Sequence, residues 1–189
     1  MRRFLGGIFG NTIASDISQS NASGVFDMNG QYYIKQEGGW LPPEPITATG
    51  GSKFTYSGKT IHKFTGTGSF HITSGSGNCE VFLVGGGGGG GSYRGGGGGA
   101  GGVAICPAMP FSTGNHAVIV GHKGLKGIAA SPFTGPGQSG TNGGDSTITN
   151  GTHTVVAKGG GYGAKGSANG GAGGSAGGNT WPTGAGISG

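Results

Sequence analysis

Five histidines, six acids and two cysteines are the side chains of this chain best suited to bind a metal or move a proton. Zinc hydrolysis of the usual kind needs two histidines one helical turn apart. His62, His71, His116, His122 and His153 offer no such pair, and the spacing of His116 and His122 spans a strand and a turn. Strand alternation puts His116, Val118 and Val120 on one face, and His116 reads there as a solvent-side position. Glycosidase chemistry needs two facing carboxylates. The acids, Asp16, Asp27, Glu37, Glu44, Glu80 and Asp145, are dispersed, and Asp145 within Gly143-Gly144-Asp145-Ser146 reads as a turn former whose carboxylate accepts backbone N–H bonds. The run Gly85–Gly91 is followed by neither Lys-Ser nor Lys-Thr, so it is no phosphate loop. Cys79 and Cys106 lack CxxC spacing; they read as reduced packing residues, with a bridge between neighbouring strands left open. No catalytic, cofactor-binding or metal-binding residue is assigned, and the expectation is a protein that is not an enzyme and carries no cofactor.

Charge is equally sparing. A formal net charge of +5 comes from 11 Lys+Arg and 6 Asp+Glu, scattered along the chain. Nucleic-acid binding shows as a basic stripe or a recognisable module. Neither is present, and Arg94 stands alone where a nucleic-acid-binding tail would carry many arginines. The longest apolar runs fall short of the roughly 18 residues of a membrane span. The opening Met1-Arg2-Arg3-Phe4-Leu5 is interrupted by Gly6, Gly7 and Gly10, so no secretory signal is expected.

The elements that would position any site are of two kinds. Short alternating or apolar segments read as strands over Lys53–Tyr56, Ile61–Phe64, Ser69–Ile72, Glu80–Val84, Val103–Cys106, His116–Val120, Ser146–Thr149 and His153–Ala157. Between them lie glycine runs at 85–91, 95–102, 159–163 and 170–178. Of the 52 glycines, 38 follow Val84. Collagen is excluded by the missing Gly-X-Y period. Glycine loses the most backbone freedom on folding, so an ordered glycine domain needs dense backbone hydrogen bonding. Three-residue polyproline II helices without side chains meet that need, because they pack closely enough to bond laterally. The reading is therefore all-β: a small antiparallel β-sandwich combined with polyproline-II-like glycine segments, with the loops displayed at the ends of the sheaf.

Residues 1–48 read as a separate segment ending in the proline-rich linker Pro42-Pro43-Glu44-Pro45, and 49–189 as the glycine-rich β domain. The first segment is too small to bury much apolar surface alone. Its Phe4, Ile8, Phe9, Phe26, Tyr32, Tyr33 and Trp40 are candidates for anchoring to another protein, or for packing back onto the second domain. Tyr93, Arg94, Phe111, Phe133 and Trp181 lie in or beside loops, and are candidates for a receptor-facing surface or for plugging the ends of the sheaf.

The succession Lys59-Thr60-Ile61-His62-Lys63-Phe64-Thr65-Gly66-Thr67-Gly68-Ser69-Phe70, then Val81-Phe82-Leu83-Val84-Gly85 and Gly95 to Val103, resembles the glycine-rich domain frequent in phage tail-fibre and tail-tip proteins. Val118-Ile119-Val120-Gly121 and Asn142-Gly143-Gly144-Asp145-Ser146 stand where that family carries a Val-x-Val-Gly strand and an Asn-Gly-Gly-Asp-Ser turn. The similarity spans about residues 52–189, with a looser one between the N-terminal segment and short leaders of phage structural proteins. The sheaf is also similar to T-even-like phage adhesins, whose apical loops touch the bacterial receptor. The resemblance implies a virion protein assembled in the host cytoplasm, bound to other virion proteins through its N-terminal segment. It further implies a homo-oligomer, with a trimer favoured, and a bacterial surface receptor as a further partner. A capsid decoration or head-fibre protein, and a secreted bacterial adhesive module, are the alternatives.

Overall fold

The computed structural model describes residues 44–129, 137–166 and 168–179. All their regular secondary structure is β-strand: β1 Thr47–Thr49, β2 Ser52–Tyr56, β3 Lys59–Lys63, β4 Gly68–Ser74, β5 Gly77–Val84, β6 Val103–Phe111, β7 Gly114–Ile119, β8 Ser146–Thr149 and β9 Thr154–Ala157. Alternation sorts their side chains. In β4, Phe70 and Ile72 turn inward; in β7, His116 and Val118; in β8, Ser146 and Ile148. A five-stranded antiparallel sheet in the order β1-β4-β7-β8-β9 packs against the β5–β6 hairpin. Between the two layers lies a core of Ala48, Phe70, Ile72, Val118 and Ile148 from the sheet and Val81, Met109 and Phe111 from the hairpin. This is the expected sandwich. A further hairpin, β2–β3, turns through Ser57 and Gly58, both at positive φ as a two-residue hairpin loop requires.

Three strand assignments differ from the sequence reading. β1 is too short for alternation to be seen, yet it carries Ala48 into the core, so the β domain starts ahead of residue 49. β6 runs on through Pro107 and Pro110 to Phe111, beyond the strand read over Val103–Cys106. Among the described residues it pairs with β5 alone, and the register skips between Cys79 and Val81, opposite Met109 and Cys106. A bulge on a strand paired along one edge tolerates residues without an N–H. Third, His116 is buried, not solvent-facing: its ring lies edge-on to Phe111, with centroids 4.9 Å apart, and its Nε2 lies 2.9 Å from the Ser112 carbonyl oxygen.

Strand after strand continues into a glycine-rich leg. β5 feeds leg A (85–92), leg B (95–102) feeds β6, β7 is followed by leg C (121–129), leg D (137–144) precedes β8, and β9 feeds leg E (158–164). Leg F (170–178) bends at 173–175 and doubles back. Lateral backbone bonds of 2.7–3.1 Å join the legs with a strict period of three. The N–H groups of Gly85, Gly88 and Gly91 donate to the carbonyls of Gly102, Gly99 and Gly96 on leg B, and those of Gly86, Gly89 and Ser92 to Gly144, Thr141 and Gln138 on leg D. Leg E donates from Gly160 and Gly163 to leg A and receives Gly96, Gly99 and Gly102 of leg B. Such a period is that of a three-residue helix. The descending pairing numbers make A and B antiparallel, whereas A and E ascend together. Legs A, C and E therefore run away from the sandwich, and B and D return.

Glycine is needed because the legs touch backbone to backbone. A Cβ on Gly88 would lie inside contact distance of the Gly161 carbonyl oxygen, and one on Gly91 would meet that of Ala164. The requirement is not uniform. On leg A, Gly87 and Gly90 have room for a Cβ, and on leg B the roomy position Gly97 is followed three residues later by Ala100. Inward-facing positions thus demand glycine and every third position does not.

Two polar side chains join sandwich to sheaf. Buried Ser146 donates through Oγ to the Val84 carbonyl at 2.7 Å and accepts the Gly121 N–H at 2.9 Å, tying β8 to the start of legs A and C. Ser146→Ala leaves both backbone groups unpaired and is expected to cost about 1–3 kcal/mol in urea denaturation. Asp145 accepts the Gly159 N–H on Oδ1 and the Lys158 ammonium on Oδ2, each at 2.8 Å. It does accept a backbone N–H as expected, but from leg E rather than within a local turn.

Those bonds, first the Lys158 ammonium and then the Gly159 N–H, hold the Asp145 carboxyl below its ordinary pKa. Its folded pKa is depressed, so its contribution is complete above the unfolded value near 4 and fades as pH falls through the folded value. Asp145→Asn should therefore lower the melting temperature at neutral pH and make little difference in strong acid. Parallel melting curves of both proteins from neutral to acid pH check this.

Candidate functional site

Leg A and leg B are joined at the end remote from the sandwich by Ser92-Tyr93-Arg94-Gly95. At about 3.1 Å per residue, leg A holds this turn roughly 25 Å from the strands. Tyr93 and Arg94 adopt φ of 53° and 56°. Adjacent bulky residues in the left-handed region are uncommon and cost about 1–3 kcal/mol each. The turn is braced from behind. Ser92 Oγ donates to the Ile128 carbonyl at 2.9 Å and accepts the Gln138 N–H at 2.8 Å, so one hydroxyl fastens legs A, C and D at their outer ends. Gly96 N–H bonds the Ala164 carbonyl at 2.9 Å, which brings Lys165 beside the turn, and Lys165 N–H bonds Ser139 Oγ at 3.1 Å.

Both Tyr93 and Arg94 are exposed, as a receptor-facing role requires. Phe111 is not. At 4% exposure it lies in the sandwich core, edge-on to Phe70 and His116, because β6 extends through the segment that had read as a loop. It is therefore withdrawn as a receptor-facing residue, and it packs in the sandwich rather than at an end of the sheaf. Phe133 and Trp181 lie outside the described residues, as do the anchoring candidates Phe4, Ile8, Phe9, Phe26, Tyr32, Tyr33 and Trp40.

Charge adds residues that the sequence reading passed over. Asp145 is the sole acid after Val84, and it is taken up by Lys158. Arg94 and Lys165 at the outer end, with Lys123 and Lys126 along leg C, are exposed and have no acidic partner among the described residues. The count of acids after Val84 was the signal available. Leu125 and Ile128, 65% and 67% exposed, add apolar surface to the outer half of leg C.

Elsewhere the chemistry is slight. Among the described residues no three of His, Cys, Asp and Glu are placed to share a metal ion. Cys79 and Cys106 are free thiols, and burial pushes the Cys79 thiol above its ordinary pKa. An open cleft of about 370 Å³ at the foot of the β2–β3 hairpin has Lys63 as the sole titratable group in its lining, so no acid–base pair forms there. Among the described residues no helix is long and apolar enough to cross a membrane.

No curated protein and no solved structure matches the chain. The model of the glycine-rich domain family matches residues 62–189, from the β3 strand through the whole sheaf, and the chain belongs to that family.

Proposed function

We propose that this chain is a non-enzymatic structural protein of a bacteriophage particle, a tail-fibre or tail-tip subunit whose glycine sheaf is a rigid stalk presenting the Tyr93–Arg94 turn to a receptor on the host surface. One observation carries the reading. A bundle stiffened by lateral hydrogen bonds that repeat every three residues ends in a strained, exposed turn of an aromatic and a cation. Tyr and Arg are the side chains that most often supply binding energy at protein surfaces. Strain held by a rigid support is a reason to look for function at that point. The ordered resemblance to phage tail-fibre domains supports the setting, and residues 1–48 are then the segment that attaches the subunit to the particle.

Cryo-electron microscopy of the intact particle tests the placement. Density for the sandwich and sheaf at the distal tail is the expected result; density on the capsid shell would move the protein to the head. A chain lacking residues 1–44, which leaves β1 in place, should remain soluble and be missing from purified particles, and its normal incorporation would remove the anchoring role.

A further inference from the structure

Leg A and leg B are the direct continuations of β5 and β6, so the outer face of that hairpin and the outer face of those legs form one strip. Its lower part is apolar. Phe82 pairs with Ile105 across the strands and Val84 with Val103, and these four are 63%, 61%, 51% and 59% exposed. Its upper part is bare backbone. The N–H groups of Gly87, Gly90 and Gly97 and the carbonyls of Gly98 and Gly101 make no hydrogen bond among the described residues. Among the described residues nothing explains glycine at these three positions. A Cβ would stand 3.9 Å from the nearest backbone atom at Gly87 and 3.5 Å at Gly90, and would meet nothing within 4 Å at Gly97. None has the positive φ that would itself call for glycine.

Wherever else in the sheaf glycine is kept without a turn, another leg stands where a Cβ would go, whereas Gly87, Gly90 and Gly97 meet other legs through their carbonyls, which accept the N–H groups of Gly124, Gly127 and Gly178. We infer that this strip is the docking face for a second copy of the chain, apolar quartet on apolar quartet and glycine ledge on glycine ledge. Self-pairing fits it in three respects. Free donors and free acceptors lie on the same strip, so two copies can satisfy each other reciprocally about a twofold axis. No charged side chain falls among residues 81–91 or 95–106, so two copies do not repel, and a partner selected by charge would find nothing to hold. The strip is about 35 Å long, from strand and polyproline rises, and two chains or about 10 Å wide. That is roughly 350 Å² per copy and about 700 Å² for the pair, the size of a weak, reversible interface. An exposed apolar patch without a cover is itself uncommon on a monomer. The inference does not depend on where the protein works.

Sedimentation velocity of the full-length protein over a concentration series tests it. The expected result is a monomer–dimer equilibrium in the micromolar range. The double variant Gly87→Ala, Gly90→Ala should weaken the dimer at least tenfold while raising the melting temperature of the dilute monomer, because each methyl has room within the chain but would hold a partner's backbone away. Phe82→Glu should also leave the monomer folded and abolish the dimer. A protein that stays monomeric into the hundreds of micromolar, covered there by its own N-terminal segment or awaiting an unlike partner, overturns the inference. So does an assembly that ignores both sets of substitutions.

Discussion

Gly161→Ala is expected to destabilise the protein by about 3–5 kcal/mol, from overpacking together with the loss of two backbone hydrogen bonds. Gly161 is buried on leg E, where its N–H donates to the Ser175 carbonyl at 2.9 Å and its carbonyl accepts the Gly99 N–H at 2.7 Å. A Cβ would run into the carbonyl oxygen of Gly171. Backbone cannot turn aside as a flexible side chain can, so the legs must separate and the bonds on either side fail with them. Against a typical total stability of about 5–15 kcal/mol such a loss threatens the fold. Gly87→Ala is the control: same exchange, outward position, expected gain about 0.4–1 kcal/mol through a less flexible unfolded chain. Urea denaturation of the two variants, measured below the concentration of any self-association, gives opposite signs if the legs are packed as described. Equal responses would mean that the glycine runs are not held leg against leg.

Replacing Tyr93 and Arg94 together by glycine should separate binding from stability. Both residues sit at positive φ, where glycine is unstrained, so the variant is expected to melt at a higher temperature. Yet it should lose attachment. Truncating a central Tyr or Arg of an interface commonly costs about 2 kcal/mol or more, which is roughly thirtyfold in affinity. Binding of the purified protein to host cells, with cells lacking the receptor as a baseline, reads this directly. Arg94, Lys126 and Lys165 have no acidic partner among the described residues, so attachment should also weaken as salt is raised. Unchanged binding with a lowered melting temperature would make Tyr93 and Arg94 packing residues and remove the adhesive role from this turn.

Much of the architecture is legible before folding is considered. β4 reads as a strand because Phe70 and Ile72 alternate with polar neighbours, and the change of composition at Val84 marks where sheet gives way to sheaf. Phe111 and His116 show where local reading stops. The alternation that buries Met109 and Phe111 continues past Cys106 through two prolines, whose missing N–H groups are tolerated on a strand bonded along one edge. Periodicity placed His116 on the same face as Val118, and burial followed from the ring of Phe111 and the carbonyl of Ser112, which satisfy an imidazole that composition assigns to water. Tyr93 and Arg94 were found as loop residues. That they share a strained turn braced by Ser92 depends on legs C and D, remote in sequence.

The chain's residue types by themselves determine that the protein is all-β, that its glycines form three-residue helices rather than collagen or linkers, and that its chemistry is poor in acids and metal ligands. Those are consequences of local preference and of what side chains are absent. Tertiary structure alone decides which legs are neighbours, and therefore which glycines are indispensable and which stand open. A glycine run looks the same at every position; its hydrogen-bond partners lie on other legs, and only their arrival distinguishes Gly88, where a Cβ would press against a carbonyl, from Gly87, where a Cβ would have room.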